Sequence, residues 1–250
     1  MKMGSSKKKT LLNKLNDNMS VTSRYQNGDY LENSSDWHVQ DSPWKARQIK
    51  KIIDRNKLSL TSVCEIGCGA GEILSQLSKM PCYKEIPFYG YEVSKTAFEM
   101  CKKRETDDLK FYYKDLLSEK FIYDVVLCID VFEHVENYIG FLQKLKEKGK
   151  FKIFHIPLDL SLSALLRRSL VNGRKSVGHL HYFTPDTALA TLMDCGHEII
   201  DVMFTPSFAA VQPKSLKGKF AKIPRLILYS ISPRLMSTLI GGASLMVLTK

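Results

Sequence analysis

Short apolar runs alternate with amphipathic segments along most of the chain. The run 123–130 is continuously apolar between Asp124 and Asp130, as expected of a strand buried on both faces of a sheet. Similar runs predict strands near residues 62–66, 87–92, 109–113, 122–129, 150–156, 197–204 and 243–249, and helical patterns occur near 71–80, 94–104, 137–148 and 183–194. This alternation indicates an α/β fold, with a mostly parallel sheet and helices on both faces.

The chain before the first strand divides into a tail and a cap. Residues 1–20 are rich in Lys, Ser and Asn and predict a disordered basic tail. Residues 21–250 are interpreted as a single domain that begins with an N-terminal cap segment, 21–57. Within the cap, Ser42 and Pro43 predict the start of a helix, with the serine as N-cap and the proline at the first helical position.

Two stretches, 157–181 and 206–241, do not belong to the alternating layout and are predicted insertions. Both follow strand ends, on the side where open α/β sheets bind ligands. The second holds six basic residues and no acid, and its part 219–231 predicts an amphipathic basic helix. Three interpretations follow for this helix: a lid packed on the sheet, a contact with an anionic membrane, or a grip on an anionic substrate.

The net charge of +11 is concentrated at the two ends of the chain. Residues 1–14 and 202–250 contain twelve basic side chains and no acid, whereas residues 15–201 contain 25 basic and 26 acidic ones. A neutral central part argues against a nucleic-acid-binding core, so no nucleic acid is expected as a partner.

The six cysteines show no C-x-x-C pair, and several lie in apolar runs, where a thiol behaves as a small hydrophobic group. The N-terminus is not signal-like. A reducing, cytoplasmic location is therefore expected.

A glycine-rich turn after the first predicted strand is the most informative motif. Glu65 precedes three glycines at alternate positions, Gly67, Gly69 and Gly71, and a helical pattern follows. Glycine lets a backbone pass close beneath a nucleotide-like ligand. The spacing differs from the G-x-G-x-x-G of dinucleotide-binding turns, and an acid at this point would repel a pyrophosphate and attract a cation.

Acids also end the second and fourth predicted strands. Glu92 is placed for a bidentate hydrogen bond to ribose hydroxyls, and the run 130–135 reads D-x-x-E-H-V. The turn resembles motif I of the class I S-adenosylmethionine-dependent methyltransferases. The later run is similar to one in the methyltransferases related to the ubiquinone-biosynthesis O-methyltransferases. The resemblance covers residues 45–156 well and the later strands loosely.

The resemblance implies a Rossmann-like sheet of seven strands with the last strand antiparallel, and S-adenosyl-L-methionine as cofactor. By position it places Asp115 at the exocyclic amine of adenine, Leu116 on the adenine ring and Asp130 near the methionine end. The residues expected to bind the cofactor are Glu65, Gly67, Cys68, Gly69, Gly71, Glu92, Val93, Asp115, Leu116 and Asp130.

Histidines and one acid are the candidate catalytic residues. His134 can remove a proton from a substrate hydroxyl as the methyl group arrives, with Glu133 beside it. Two other roles stay open for this pair: capping or bracing the next helix, or holding a divalent metal, as some ubiquinone-pathway relatives do with E-x-x-E-H. Because Asp130 takes the first position of that set, no metal is assigned. His181, in the pair with His179, is a further candidate for substrate contact.

The predicted function is methyl transfer to an oxygen atom of a small-molecule or saccharide acceptor. In one interpretation that acceptor is lipid-linked or anionic. A peripheral contact with an anionic membrane through 206–241 accompanies it. The rivals are a non-catalytic cofactor-binding or scaffold protein, a nicotinamide-dependent oxidoreductase, which the glycine spacing disfavours, and an RNA methyltransferase.

Overall fold

The alternating pattern folds as one sheet in the computed structural model, which describes residues 39–210 and 216–250, with side chains from residue 222 onward in the second range. Within these ranges the sheet has seven strands in the order β3-β2-β1-β4-β5-β7-β6. They are β1 Val63–Ile66, β2 Phe88–Glu92, β3 Leu109–Tyr113, β4 Tyr123–Ile129, β5 Gly149–Pro157, β6 Ile199–Thr205 and β7 Ser244–Thr249.

Strands β1 to β5 pair in parallel, and β7 runs antiparallel to both β5 and β6. The predicted fold class is therefore confirmed, including the antiparallel last strand. β4 lies in the middle of the order and is buried along nearly its whole length, in keeping with its continuous apolar run.

Helices cover both faces of the sheet. The described helices are α1 Ser42–Arg55, α2 Glu72–Ser78, α3 Lys95–Cys101, α4 Tyr138–Leu145, α5 Leu162–Leu166, α6 Ser169–Ser176, α7 Pro185–Asp194, α8 Leu216–Ile231 and α9 Pro233–Leu239. One core cluster joins α1, α2 and α3 to the sheet through residues such as Ile49 and Leu74. The other joins α4 and α7 through Leu142 and Leu192.

The start of α1 differs by one residue from the prediction. The N-cap is Asp41, and Ser42 is the first helical residue, with the proline inside the first turn. The Asp41 side chain makes no capping hydrogen bond; it lies 3.0 Å from the Lys45 ammonium instead. A carboxylate at the helix N-terminus is also favoured by the helix dipole. The predicted tail and the cap up to residue 38 lie outside the described residues.

Both predicted insertions contain helices. α5 and α6 follow β5, and α8 and α9 lie between β6 and β7. The predicted amphipathic helix lies within α8, where Leu228 and Tyr229 pack against the core. Among its side chains from residue 222 onward, four other large apolar ones are exposed, namely Ile223, Leu226, Ile227 and Ile231. The apolar side of α8 therefore packs only in part on the domain. Among the described helices, none is both long and apolar enough to cross a membrane.

Candidate active site

The glycine-rich turn connects β1 to α2 and has a left-handed backbone at each glycine. The φ angles are +64° at Gly67, +54° at Gly69 and +75° at Gly71, a region that L side chains rarely adopt. At Gly71 a Cβ atom would also lie 2.5 Å from Cζ of Phe111. This third glycine is therefore required by packing of the turn on β3 as well as by its conformation.

Glu92, at the end of β2, binds the turn directly. Its Oε2 accepts a hydrogen bond from the Gly69 N–H at 2.8 Å. Its Oε1 accepts from the N–H groups of Val93 and Ser94 at 2.9 and 2.7 Å. Burial raises the pKa of Glu92, while these three backbone donors act in the opposite direction. The Oε2 atom retains acceptor capacity on the side of the turn.

Glu65 is a buried acid at the end of β1. Its Oε2 has no hydrogen-bond partner among the described residues. Burial raises its pKa well above the ordinary value; the Lys45 charge opposes this and the Glu92 charge adds to it. A buried carboxyl group without a partner is costly, and a cationic ligand group would compensate it.

Asp130 follows β4 and joins three elements of the fold. Its Oδ2 lies 2.8 Å from Nζ of Lys45 on α1, and its Oδ1 lies 2.6 Å from Nδ1 of His155 on β5. His155 Nε2 is in turn 2.9 Å from the Thr205 hydroxyl. Burial alone would raise the pKa of Asp130, but the charges of His155 and Lys45 outweigh it and hold this pKa well below its usual range.

Lys45 is a functional candidate that sequence reasoning missed. It is buried between Asp41 and Asp130, whose charges raise its pKa against the effect of burial. The sequence pattern that could have identified Lys45 is its position four residues before Ile49, on the apolar side of α1. Because lysine is rarely fully buried unless paired, a lysine on that side indicates a buried acid opposite it.

Glu133 and His134 lie in a short 3-10 helix, Phe132–His134, directly after Asp130. Neither carboxyl oxygen of Glu133 has a hydrogen-bond partner among the described residues, and its Oε1 is 4.0 Å from His134 Nε2. Burial raises the pKa of Glu133 well above its ordinary value, and the Asp130 charge adds to this. The backbone carbonyl of Glu133, not its side chain, accepts from the N–H groups of residues 180 and 181.

His179 completes a group of three possible metal ligands. One ligand atom from each of Glu133, His134 and His179 lies within 4.8 Å of the others. The His134 and His179 rings meet edge to face, with centroids 4.7 Å apart, and His179 Nδ1 is 2.5 Å from Asp159 Oδ2. Two imidazoles and an unpartnered carboxyl group are a suitable donor set for a divalent transition metal. Asp130 does not belong to this group.

Two adjoining cavities lie at the C-terminal ends of the parallel strands. The turn cavity is lined by residues of the glycine turn and its neighbours: Ser42, Lys45, Glu65, Gly67, Cys68, Gly69, Ala70, Glu72, Ile73, Glu92, Ile129, Asp130 and His134. The histidine cavity, of about 220 Å³, is lined by Asp41, Trp44, Lys45, Asp130, His134, His155, Pro157, Asp159, Val177, His179, Ser207, Ala210, Gly242, Ala243 and Ser244. Lys45, Asp130 and His134 belong to both walls.

Not every predicted cofactor residue lines the turn cavity. Those that do are Glu65, Gly67, Cys68, Gly69, Glu92 and Asp130. Val93 is 62% exposed, and Leu116 is fully buried in the core. Asp115 accepts from the Leu117 N–H at 2.9 Å and caps a 3-10 turn. The roles predicted for these residues and for Gly71 in cofactor binding stay predictions.

The candidate catalytic residues are placed differently from one another. His134 lies in the wall between the two cavities, and Glu133 is buried beside it. His181 lines neither cavity; its Nε2 lies 2.9 Å from the Val135 carbonyl oxygen and its ring packs on Tyr138. The histidine that reaches the cavity from this segment is His179.

Comparison with known proteins identifies sequence and structural relatives. The sequence profile of the "Methyltransferase domain" family matches residues 24–200. The ubiquinone biosynthesis O-methyltransferase of Rickettsia typhi (strain ATCC VR-144 / Wilmington) is 31% identical over 116 residues, 41% of this chain and 42% of that protein. The (S)-coclaurine N-methyltransferase of Thalictrum flavum subsp. glaucum is 29% identical over 90 residues, 34% of this chain and 25% of that protein. The chain thus spans less than half the length of these relatives.

Solved structures share the fold at low sequence identity. The magnesium protoporphyrin IX methyltransferase ChlM from Synechocystis PCC 6803, with bound SAH, has a TM-score of 0.56 at 15% identity, covering 84% of each chain. The cyclopropane synthase MmaA2 from Mycobacterium tuberculosis has a TM-score of 0.55 at 17% identity, covering 81% of this chain and 84% of that one.

Proposed function

The chain belongs to the methyltransferase domain family and is a class I S-adenosylmethionine-dependent methyltransferase, and we propose that it methylates an oxygen atom of a small molecule or saccharide in the histidine cavity. The observation that carries this proposal is the position of His134 in the wall shared by the two cavities. A group at that point can reach both the methyl donor and the acceptor.

The cofactor occupies the turn cavity in this proposal. Its methionine ammonium would compensate the unpartnered Oε2 of Glu65, and its ribose hydroxyls would donate to Glu92. Lys45, in the wall of the same cavity, carries the positive charge that suits the methionine carboxylate. Two buried acids and one buried lysine would therefore orient the donor before the acceptor binds.

Methyl transfer to a hydroxyl needs alignment and one proton acceptor. S-adenosylmethionine, when bound, would supply an activated methyl group to the acceptor oxygen and would become S-adenosylhomocysteine. His134 takes the hydroxyl proton in this step. The positive charge of the imidazolium would in turn lower the pKa of Glu133, whose Oε1 lies 4.0 Å from His134 Nε2.

A metal-assisted route is the second candidate, since Glu133, His134 and His179 have their ligand atoms within 4.8 Å of one another. A divalent cation held there would bind the acceptor oxygen and lower the pKa of its hydroxyl group.

The test is methyl transfer to a panel of hydroxylated small molecules and saccharides, with the methylated atom located by mass spectrometry. We expect His134→Gln to bind S-adenosylhomocysteine as the wild type does and to lose about 10²–10⁴-fold in transfer rate. His181→Gln, assayed beside it, separates the two candidate histidines. Methylation at nitrogen or carbon, or an unchanged rate in His134→Gln, would contradict the proposal.

A peripheral membrane contact through 206–241 remains part of the proposal. Exposed apolar side chains of α8 and α9, such as Ile227 and Leu235, lie in a segment that has basic residues and no acid. Co-sedimentation with phosphatidylglycerol vesicles at low salt tests it, with phosphatidylcholine vesicles as control. Equal binding to both kinds of vesicle, or no binding to either kind, would count against this contact.

A further inference from the structure

A third cavity, of about 230 Å³, adjoins the histidine cavity on the side of the appended helices. We name it the arginine cavity, after Arg167 of the α5–α6 connection and Arg225 of α8. It shares four lining residues with the histidine cavity, namely Asp159, Val177, His179 and Gly242. An elongated ligand can therefore extend from one cavity into the other.

The two guanidinium groups contact backbone carbonyl groups and line the same cavity. Arg167 Nε donates to the Ser163 carbonyl at 3.2 Å, and Arg225 Nε donates to the Gly241 carbonyl at 3.3 Å. Partial burial lowers the pKa of Arg225, and the nearby positive charge of Arg167 lowers it further. Two like charges directed to one cavity repel each other, so an oxyanion between them would be stabilising.

A pair of glycines brings the backbone close to Arg225. Gly241 and Gly242 have φ angles of +77° and +93°, and a Cβ atom on Gly242 would lie 3.3 Å from Arg225 Nε. A Cβ atom on Gly241 would lie 2.9 Å from the Ser161 hydroxyl oxygen. The carbonyl that orients the guanidinium group is thus presented by a turn that disfavours other residue types.

We infer that the arginine cavity binds a phosphate group of the methyl acceptor, between Arg167 and Arg225, while the acceptor hydroxyl lies at His134. This inference rests on the proposed function, because it assigns the two ends of one substrate. Tetrahedral phosphate offers separate oxygens to two guanidinium groups that come from different helices. Asp159, the acid in this wall, is engaged by His179 at 2.5 Å.

Apolar side chains surround the basic pair on the outer surface. Leu165 and Leu166 of α5 and Leu226 of α8 are all more than half exposed. The phosphate can therefore belong to a soluble acceptor or to a lipid headgroup, and both sources share the same recognition chemistry.

The experiment measures binding of phenyl phosphate by isothermal titration calorimetry. The proteins are the wild type, the double variant Arg167→Gln/Arg225→Gln and the control Arg168→Gln. Arg168 is the exposed neighbour of Arg167 and does not line the cavity. We expect one site in the wild type, at least tenfold weaker binding in the double variant and less than twofold change in the control. No binding by the wild type, or equal binding by the double variant, would overturn the inference.

Two further measurements keep the result interpretable. Titration with S-adenosylhomocysteine shows whether each variant is folded, and Arg167→Gln alone replaces the double variant if that protein does not bind it. If the wild type co-sediments with phosphatidylglycerol vesicles and phenyl phosphate releases it, the phosphate group belongs to a lipid headgroup. Phenyl phosphate binding without sedimentation identifies a soluble acceptor.

The inference and the proposed function fail separately. If phenyl phosphate binds and no hydroxyl is methylated, the anion site stands and the proposed acceptor chemistry is wrong. If hydroxyl compounds are methylated and phenyl phosphate does not bind, only the anion site is wrong.

Discussion

Replacing Lys45 by methionine is the sharpest test of the charged network between the two cavities. The substitution keeps the length of the side chain and removes the ammonium group that lies 2.8 Å from Asp130 and 3.0 Å from Asp41. At an effective dielectric constant of about 20, two unit charges 2.8 Å apart attract by roughly 6 kcal/mol, before the cost of removing them from water. Removing one partner of a buried pair costs about 3–5 kcal/mol in net stability.

We expect the lower end of that range, because His155 still binds the other oxygen of Asp130. Lys45→Met should therefore reduce the free energy of unfolding by about 3 kcal/mol at pH 7. Urea denaturation followed by circular dichroism measures this loss. The double variant Lys45→Met/Asp130→Asn is the control, since removing both charges should recover part of the loss.

The stability loss in Lys45→Met should depend on pH in a direction that the pKa of Asp130 determines. The pKa of Asp130 is lowered in the folded protein, so its stabilising contribution is present above the pKa of an unfolded aspartate and declines as the pH falls through the folded value. The deficit of Lys45→Met should be constant from about pH 5 to pH 9 and shrink below about pH 4. A deficit under about 1 kcal/mol at pH 7, or strict additivity with Asp130→Asn, would refute the network.

Three further outcomes are expected. Gly71→Ala should lower the free energy of unfolding by about 3 kcal/mol, or the Tm by roughly 6–12 °C, because its Cβ atom would meet Phe111. The control Gly173→Ala, whose Cβ atom meets nothing within 4 Å, should not lower it, and equal Tm values for the two variants would contradict the packing argument. The free energy of unfolding of Glu133→Gln, measured by urea denaturation, should equal that of the wild type near pH 4 and exceed it increasingly towards pH 8. The reason is that the raised pKa of Glu133 in the folded protein makes the wild type lose stability as the pH rises, and a pH-independent difference would contradict it. Treatment with EDTA should leave the transfer rate unchanged, because His134 takes the hydroxyl proton without a metal in the proposed route. A loss of rate that a divalent cation restores would favour the metal-assisted route instead.

The sheet could be predicted from the sequence because its signals are local. A strand buried on both faces is a continuous apolar run in the sequence, as 125–129 is, and the glycine turn marks the connection between β1 and α2. The cavity wall could be predicted in part for the same reason. Glu65, Gly69 and Glu92 lie at strand ends and in the turn, so their positions follow once the strands are known.

Contacts between distant segments could not be predicted in this way. Lys45 meets Asp130 across 85 positions of sequence, and a single sequence contains no signal for that pairing beyond a charge on an apolar helical side. The choice between His179 and His181 depends on the local loop, because the Glu133 carbonyl accepts from the His181 N–H. Asp115 was ambiguous for another reason, since an acid after a strand serves equally as a cap.

The aspartate at position 130 changes what the D-x-x-E-H run can do. Its backbone is left-handed, with a φ of +54°, and its short side chain is held by Lys45 from α1 and His155 from β5. That engagement separates it from the group formed by Glu133, His134 and His179. It also makes α1 part of both cavity walls, because the paired Lys45 and Asp130 line each cavity. In the proposed function, loosening α1 would therefore weaken the binding of donor and acceptor together, so the same pair of charges would link stability and transfer.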